Sequence, residues 1–79
     1  VGESQEAQNV ALGRAIRTLR EKAGLSEEEL AGRAEMPVAE LRRVEAGDVE
    51  ADWGTLRQLA YGLETSLADL LRLVEEDGA

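Results

Sequence analysis

Neither cysteine nor histidine occurs in the 79 residues, which excludes disulfides, thiolate zinc sites and imidazole chemistry and leaves carboxylates as the only candidate metal ligands. Phenylalanine is also missing, and tryptophan, tyrosine, proline and methionine occur once each. An apolar core must therefore be built from Leu, Val, Ile and Ala, a set that suits helices better than strands. No apolar run reaches the length of a membrane span, and residues 1–9 lack the basic and apolar regions of a secretory signal, so a cytoplasmic protein is expected. The length allows one small domain whose stability rests on packing alone.

Positive charge is scarce: nine Lys and Arg against seventeen Asp and Glu give a formal net charge of −8, which opposes long-range attraction to nucleic acid. The distribution matters more than the sum. Seven of the basic residues (Arg14, Arg17, Arg20, Lys22, Arg33, Arg42 and Arg43) fall in one central stretch, while acids crowd the two ends and the segment from Glu45 to Asp52. Any positive surface is local. A continuous strip through Arg14, Arg17, Arg42 and Arg43 would suit DNA, whereas a patch broken by Glu27, Glu40 and Asp48 would suit a protein partner.

Residues 1–8 are polar and read as a flexible tail, followed by a domain over 9–76 and a tail over 77–79. The domain shows helical periodicity throughout. Leu12, Ile16 and Leu19 form one stripe ended by Ala23 and Gly24, which predicts a first helix over 9–23. Ser26 with Glu29 is a capping box for a short second helix over 26–34 that turns Leu30, Ala31 and Ala34 inward. Pro37 suits a first helical position, and Leu41 and Val44 then mark a third helix over 37–46, ended by Gly47. After a polar loop, Asp52 caps a fourth helix over 52–63 with an inward stripe of Trp53, Leu56, Leu59, Ala60 and Leu63. Ser66 with Asp69 opens a fifth over 66–76, carrying Leu67, Leu70, Leu71, Leu73 and Val74. One helix face cannot bury all five, so this helix is the expected homodimer contact, with Leu73 as the exposed member.

Two short helices joined by a tight turn predict a helix-turn-helix. The wording narrows this further: the runs 19–31 (LREKAGLSEEELA), 41–47 (LRRVEAG) and 63–71 (LETSLADLL) resemble the phage-repressor-like, xenobiotic-response-element type of helix-turn-helix family, over about Leu12 to Val74. The resemblance implies an all-α, compact five-helix lambda-repressor-like domain that docks its third helix in the major groove of double-stranded DNA. It implies a structural ion pair between Arg20 and Glu45. It implies DNA contacts from Pro37, Val38, Ala39, Arg42 and Arg43, with a phosphate contact at the position of Glu27, where relatives often carry glutamine.

Several residues depart from that pattern. Val38 and Ala39 offer at most a methyl contact to thymine, so any bidentate guanine contact falls to Arg42 or Arg43. Glu27 would repel the phosphate that a glutamine binds, and Asp48, Glu50 and Asp52 replace a loop that is often basic. Glu35 and Glu64 stand at two positions where relatives carry glycine. The expected function is a DNA-binding transcription regulator, weakened by its acidic surface. The alternative is a protein-interaction module on the same fold, an adaptor or antitoxin-like partner. An enzyme is not expected, because the serines at 26 and 66 are explained as caps and no nucleophile and base pair up. No cofactor motif is present.

Overall fold

The computed structural model describes residues 4–78, with side chains through residue 76. Five α-helices follow in order, α1 (Gln5–Lys22), α2 (Glu27–Ala34), α3 (Val38–Glu45), α4 (Trp53–Gly62) and α5 (Leu67–Gly78), and the described residues contain no strand. Every helix sends at least one aliphatic side chain to a common centre. Ile16 of α1, Leu30 of α2, Leu41 and Val44 of α3, Leu59 of α4 and Leu70 of α5 are the most deeply buried large residues. Burial of each contributes about 1.5 to 3 kcal/mol relative to exposure, which is how a chain without phenylalanine holds five helices together. α1 packs on α3 and α5, and α2 packs on α3 and α4.

α1 starts four residues before the expected Asn9. The Ser4 hydroxyl accepts a bond from the Ala7 amide at 3.1 Å, so residues 5–8 of the expected tail are helical. The apolar stripe does not reach this turn, which is why periodicity misplaces the start. Residues 1–3 of that tail lie outside the described residues, as does residue 79 of the C-terminal one, while 77 and 78 continue α5. The other caps stand where the sequence puts them. Ser26 and Glu29 form the capping box, with bonds of 2.8 and 3.0 Å. Asp52 accepts from the Thr55 amide at 2.8 Å, and Ser66 from the Asp69 amide at 3.0 Å. The amide bonds accepted by Glu29 and Asp52 hold both carboxyls below their usual titration range, since they favour the charged form.

The first four helices end in one shared way. A left-handed residue follows the last turn, its amide bonds three residues back, and the next amide bonds five residues back, which is the Schellman arrangement. Gly24 and Gly47 take this conformation without strain, but Glu35 (φ 58°) and Glu64 (φ 56°) are forced into it. At Glu35 the constraint comes from the turn between α2 and α3, only residues 35–37, where Met36 is buried and bonds to the Ala31 carbonyl at 3.0 Å. Pro37 is the N-cap of α3, one residue before the helical position expected for it, and makes no side-chain capping bond.

Trp53 is not part of the core stripe. The residue opens α4 and is 61% exposed, whereas Val49 and Ala51 of the preceding loop are half-buried and pack on the core. Leu56 and Leu63 are half-buried, and Leu59, Ala60 and Gly62 are buried.

Replacing Glu35 or Glu64 by glycine should stabilise the domain. Removal of a left-handed penalty of about 1 to 2 kcal/mol is offset by the entropy glycine loses on folding, roughly 0.5 to 1 kcal/mol. A net gain of about 0.5 to 1 kcal/mol at each site is expected in urea denaturation midpoints; the weak exposed contact of Glu64 with Arg33, at 3.4 Å, changes this little.

Candidate nucleic-acid interface

α3 is held at its carboxyl end and open along its outer side. Gly13 of α1 lies where α1 crosses this end of α3: a Cβ there would come within 2.5 Å of the Glu45 carbonyl oxygen and 2.6 Å of that of Val44. Only glycine permits so close a backbone approach. Beside the crossing, the Arg20 guanidinium donates through Nε to Glu45 Oε2 at 2.8 Å and through an Nη to Oε1 at 3.1 Å. Its remaining Nη donates to the Leu25 carbonyl at 3.0 Å. The Glu45 side chain is 1% exposed and that of Arg20 is 13% exposed, so the pair is desolvated and almost fully satisfied. The hydrogen bond to Glu45 raises the Arg20 pKa above its ordinary value. Arg17 adds a third contact to Glu45 at 3.5 Å from a half-exposed position. This cluster ties α1, the start of the α1–α2 connection and the end of α3 into one unit.

The outer surface of α3 consists of Ala39, Glu40, Arg42 and Arg43, with Pro37 exposed just before it. Val38, expected to face DNA, is half-buried and packs against the core, so its methyls are largely committed inward. Arg42 turns toward α2, where its Nε donates to Glu27 Oε1 at 3.2 Å and an Nη donates to Glu28 Oε2 at 3.0 Å. Arg43 has no ion pair among the described residues and borders a shallow hollow with Glu40, Glu50 and Asp52. The basic strip is therefore interrupted. Arg17 serves Glu45 and Arg42 serves Glu27 and Glu28, so the central cluster of arginines does not merge into one positive face.

No sequence motif marks Gly13, and none shows that Glu28 meets Arg42. An isolated glycine inside the α1 stripe was the available signal for a close helix approach. The partners of Arg42 depend on the angle between α2 and α3, which no periodicity specifies.

A groove of about 400 Å³ runs between α1, the α3–α4 loop, α4 and α5, with Leu12, Ala51, Leu56, Leu71 and Val74 on its walls and Gln5, Gln8, Asn9, Glu50 and Glu75 around them. Leu73, expected to be the exposed member of α5, is instead half-buried and lines a separate small hollow with Arg14, Ala15 and Thr18 of α1. Among the described residues no group of acids is placed to hold a metal ion, and no helix is long and apolar enough to cross a membrane.

Replacing Glu45 by alanine strands Arg20 in a nearly dry site. A loss of about 3 to 5 kcal/mol in the unfolding free energy is expected, measured by urea denaturation, and a loss under about half a kcal/mol would show that the pair behaves as an exposed one.

Comparison with known proteins identifies the fold and the lineage. The helix-turn-helix domain family matches residues 11–73. No curated protein sequence matches the chain significantly. Among solved structures, the clp gene regulator ClgR from Corynebacterium glutamicum is 29% identical with a TM-score of 0.86, covering 91% of this chain and 94% of its own. The restriction-modification controller protein C.AhdI from Aeromonas hydrophila is 30% identical with a TM-score of 0.78, covering 81% of this chain and 97% of its own. The wild-type restriction-modification controller protein C.Esp1396I, 17% identical with a TM-score of 0.83 over 89% of this chain and 91% of its own, shares the fold. With the match spanning the α1 stripe, the α2–turn–α3 unit and most of α5, this chain belongs to the helix-turn-helix domain family.

Proposed function

We propose that the chain is a DNA-binding transcription regulator that docks α3 in the major groove of double-stranded DNA. The observation that carries this reading is the anchoring of α3: its inner end is locked by Gly13 and the Arg20–Glu45 pair, while Pro37, Ala39 and Arg43 remain on the outside. A rigid helix presented this way is what major-groove reading requires. The relatives named as a clp gene regulator and as restriction-modification controllers support a regulatory role. Nothing in the chain's chemistry calls for catalysis, and a cytoplasmic setting fits this role.

The interrupted basic strip favours the second reading, a protein-interaction module, and it sets the strength expected of the first. With a net charge of −8, attraction to phosphate at long range is absent, so binding depends on a few short contacts, whose small number sets how far it falls with salt. Selection of wild-type protein against random duplexes at low salt should enrich a two-fold-related sequence containing guanine. Retention should fall by about tenfold or more when salt is raised several-fold, as a small number of phosphate contacts predicts. Failure to enrich any duplex would leave the interaction-module reading in its place.

A two-fold site calls for two copies. We assign the contact between them to α5, on the side that carries Leu71, which lines the groove half-buried and, unlike Leu73 and Val74, does not pack against the core. The groove there lies next to the α3–α4 loop, so a second copy seated on it stays close to the DNA-facing side of the first. Sedimentation at tens of micromolar should show a dimer, and Leu71→Glu should convert it to a monomer with unchanged helix content. A monomer for the wild type would contradict the assignment.

A further inference from the structure

Resting on the DNA-docking reading above, we infer that Glu27 and Glu28 hold Arg42 away from the bases, which leaves Arg43 as the one cation of α3 that selects sequence.

Helix geometry separates the two arginines. Successive residues of an α-helix are turned by about 100°. Leu41, Val44 and Glu45 define the buried side of α3, with Val38 half-buried beside them. Arg43 then falls on the opposite side, in line with Ala39 four residues earlier, whereas Arg42 falls on the flank. The contacts agree with that placement. Arg42 reaches across to the first turn of α2 and bonds two carboxylates, Glu27 at 3.2 Å and Glu28 at 3.0 Å. Arg43 bonds none among the described residues.

The clamp also answers a charge problem. Glu27 and Glu28 sit at an N-terminus whose exposed amides would otherwise draw a phosphate, and both carboxylates are stabilised there by the helix dipole. Arg42 cancels one of the two charges. Swinging Arg42 out to a guanine would break both bonds and leave two carboxylates facing the DNA backbone with no counter-ion. Each contact by itself is half-exposed and weak. Their joint effect, added to the repulsion they would release, keeps Arg42 on α2 when DNA is bound. Arg42 is thus a positioning residue that neutralises the α2 end, and base choice rests on Arg43.

The test is a low-salt selection against random duplexes using wild type, R42A, R43A, E27Q with E28Q, and that pair combined with R42A. R43A should erase the guanine preference. R42A should lower retention of all duplexes by several-fold while leaving the preferred sequence unchanged. E27Q with E28Q should raise retention about tenfold, from removal of two repulsive charges, and add a second preferred guanine position. That new position should vanish when R42A is added. If R42A alone erases a base preference, or if the freed Arg42 adds none, the inference is wrong while the DNA-binding reading stands. If no variant enriches any duplex, the DNA-binding reading itself fails and the inference falls with it. Each substitution is on an exposed or half-exposed side chain, and matching thermal melts confirm that retention reports binding.

Discussion

The buried contact between Arg20 and Glu45 is the constraint on which the rest of the domain depends. A desolvated ion pair is an expensive way to join two helices, and a pair of aliphatic residues would serve stability as well or better. What the pair supplies is orientation. Two parallel bonds from one guanidinium to one carboxylate fix both the distance and the angle between α1 and the end of α3, and the third bond to the Leu25 carbonyl fixes the connection into α2. Gly13 allows the backbones to approach closely enough for that geometry. α3, the helix proposed to meet DNA, is therefore held from behind, by groups at its inner end.

The same residues that make the helices stable make the surface acidic. Acids in the first turn of α2 complete the capping box and suit the helix dipole, and Asp52 caps α4. Each is favourable for folding and unfavourable next to a phosphate backbone. The conflict is met locally, by Arg42 at the α2 end, rather than by an excess of positive charge. On the proposed DNA-binding role, such a domain gains little from nonspecific attraction, and a larger share of the binding energy has to come from shape and from short-range contacts along α3. That favours discrimination over affinity.

How much of this can be read from the sequence depends on the range of the interaction involved. Caps are local: Ser26 with Glu29, Asp52 with Thr55 and Ser66 with Asp69 lie three residues apart, and they mark the helix starts wherever they occur. The left-handed glutamates are legible too, as departures from a glycine pattern. Ser4 gives no such signal, because no apolar stripe follows it in the first turn. The spacing of Trp53 matches the stripe and so points it inward, although it is exposed, while Val49 and Ala51, in a loop that reads as polar, pack on the core. Contacts that depend on how helices cross were hardest to see. Val38 turning inward, Arg42 bridging to α2 and Leu73 turning toward α1 all follow from interhelical angles, and composition and period carry no information on those.

The central claim is that α3, steadied from behind, is the surface that meets DNA. Amide and side-chain NMR shifts followed during titration with a duplex of about 20 base pairs, long enough for two half-sites one helical turn apart, test it directly. The account predicts the largest changes at Pro37 to Arg43 and at the first turn of α2, with Arg20, Glu45 and Gly13 nearly unmoved. Changes centred on Trp53 and Tyr61 of α4, or no changes at all at low salt, would contradict it.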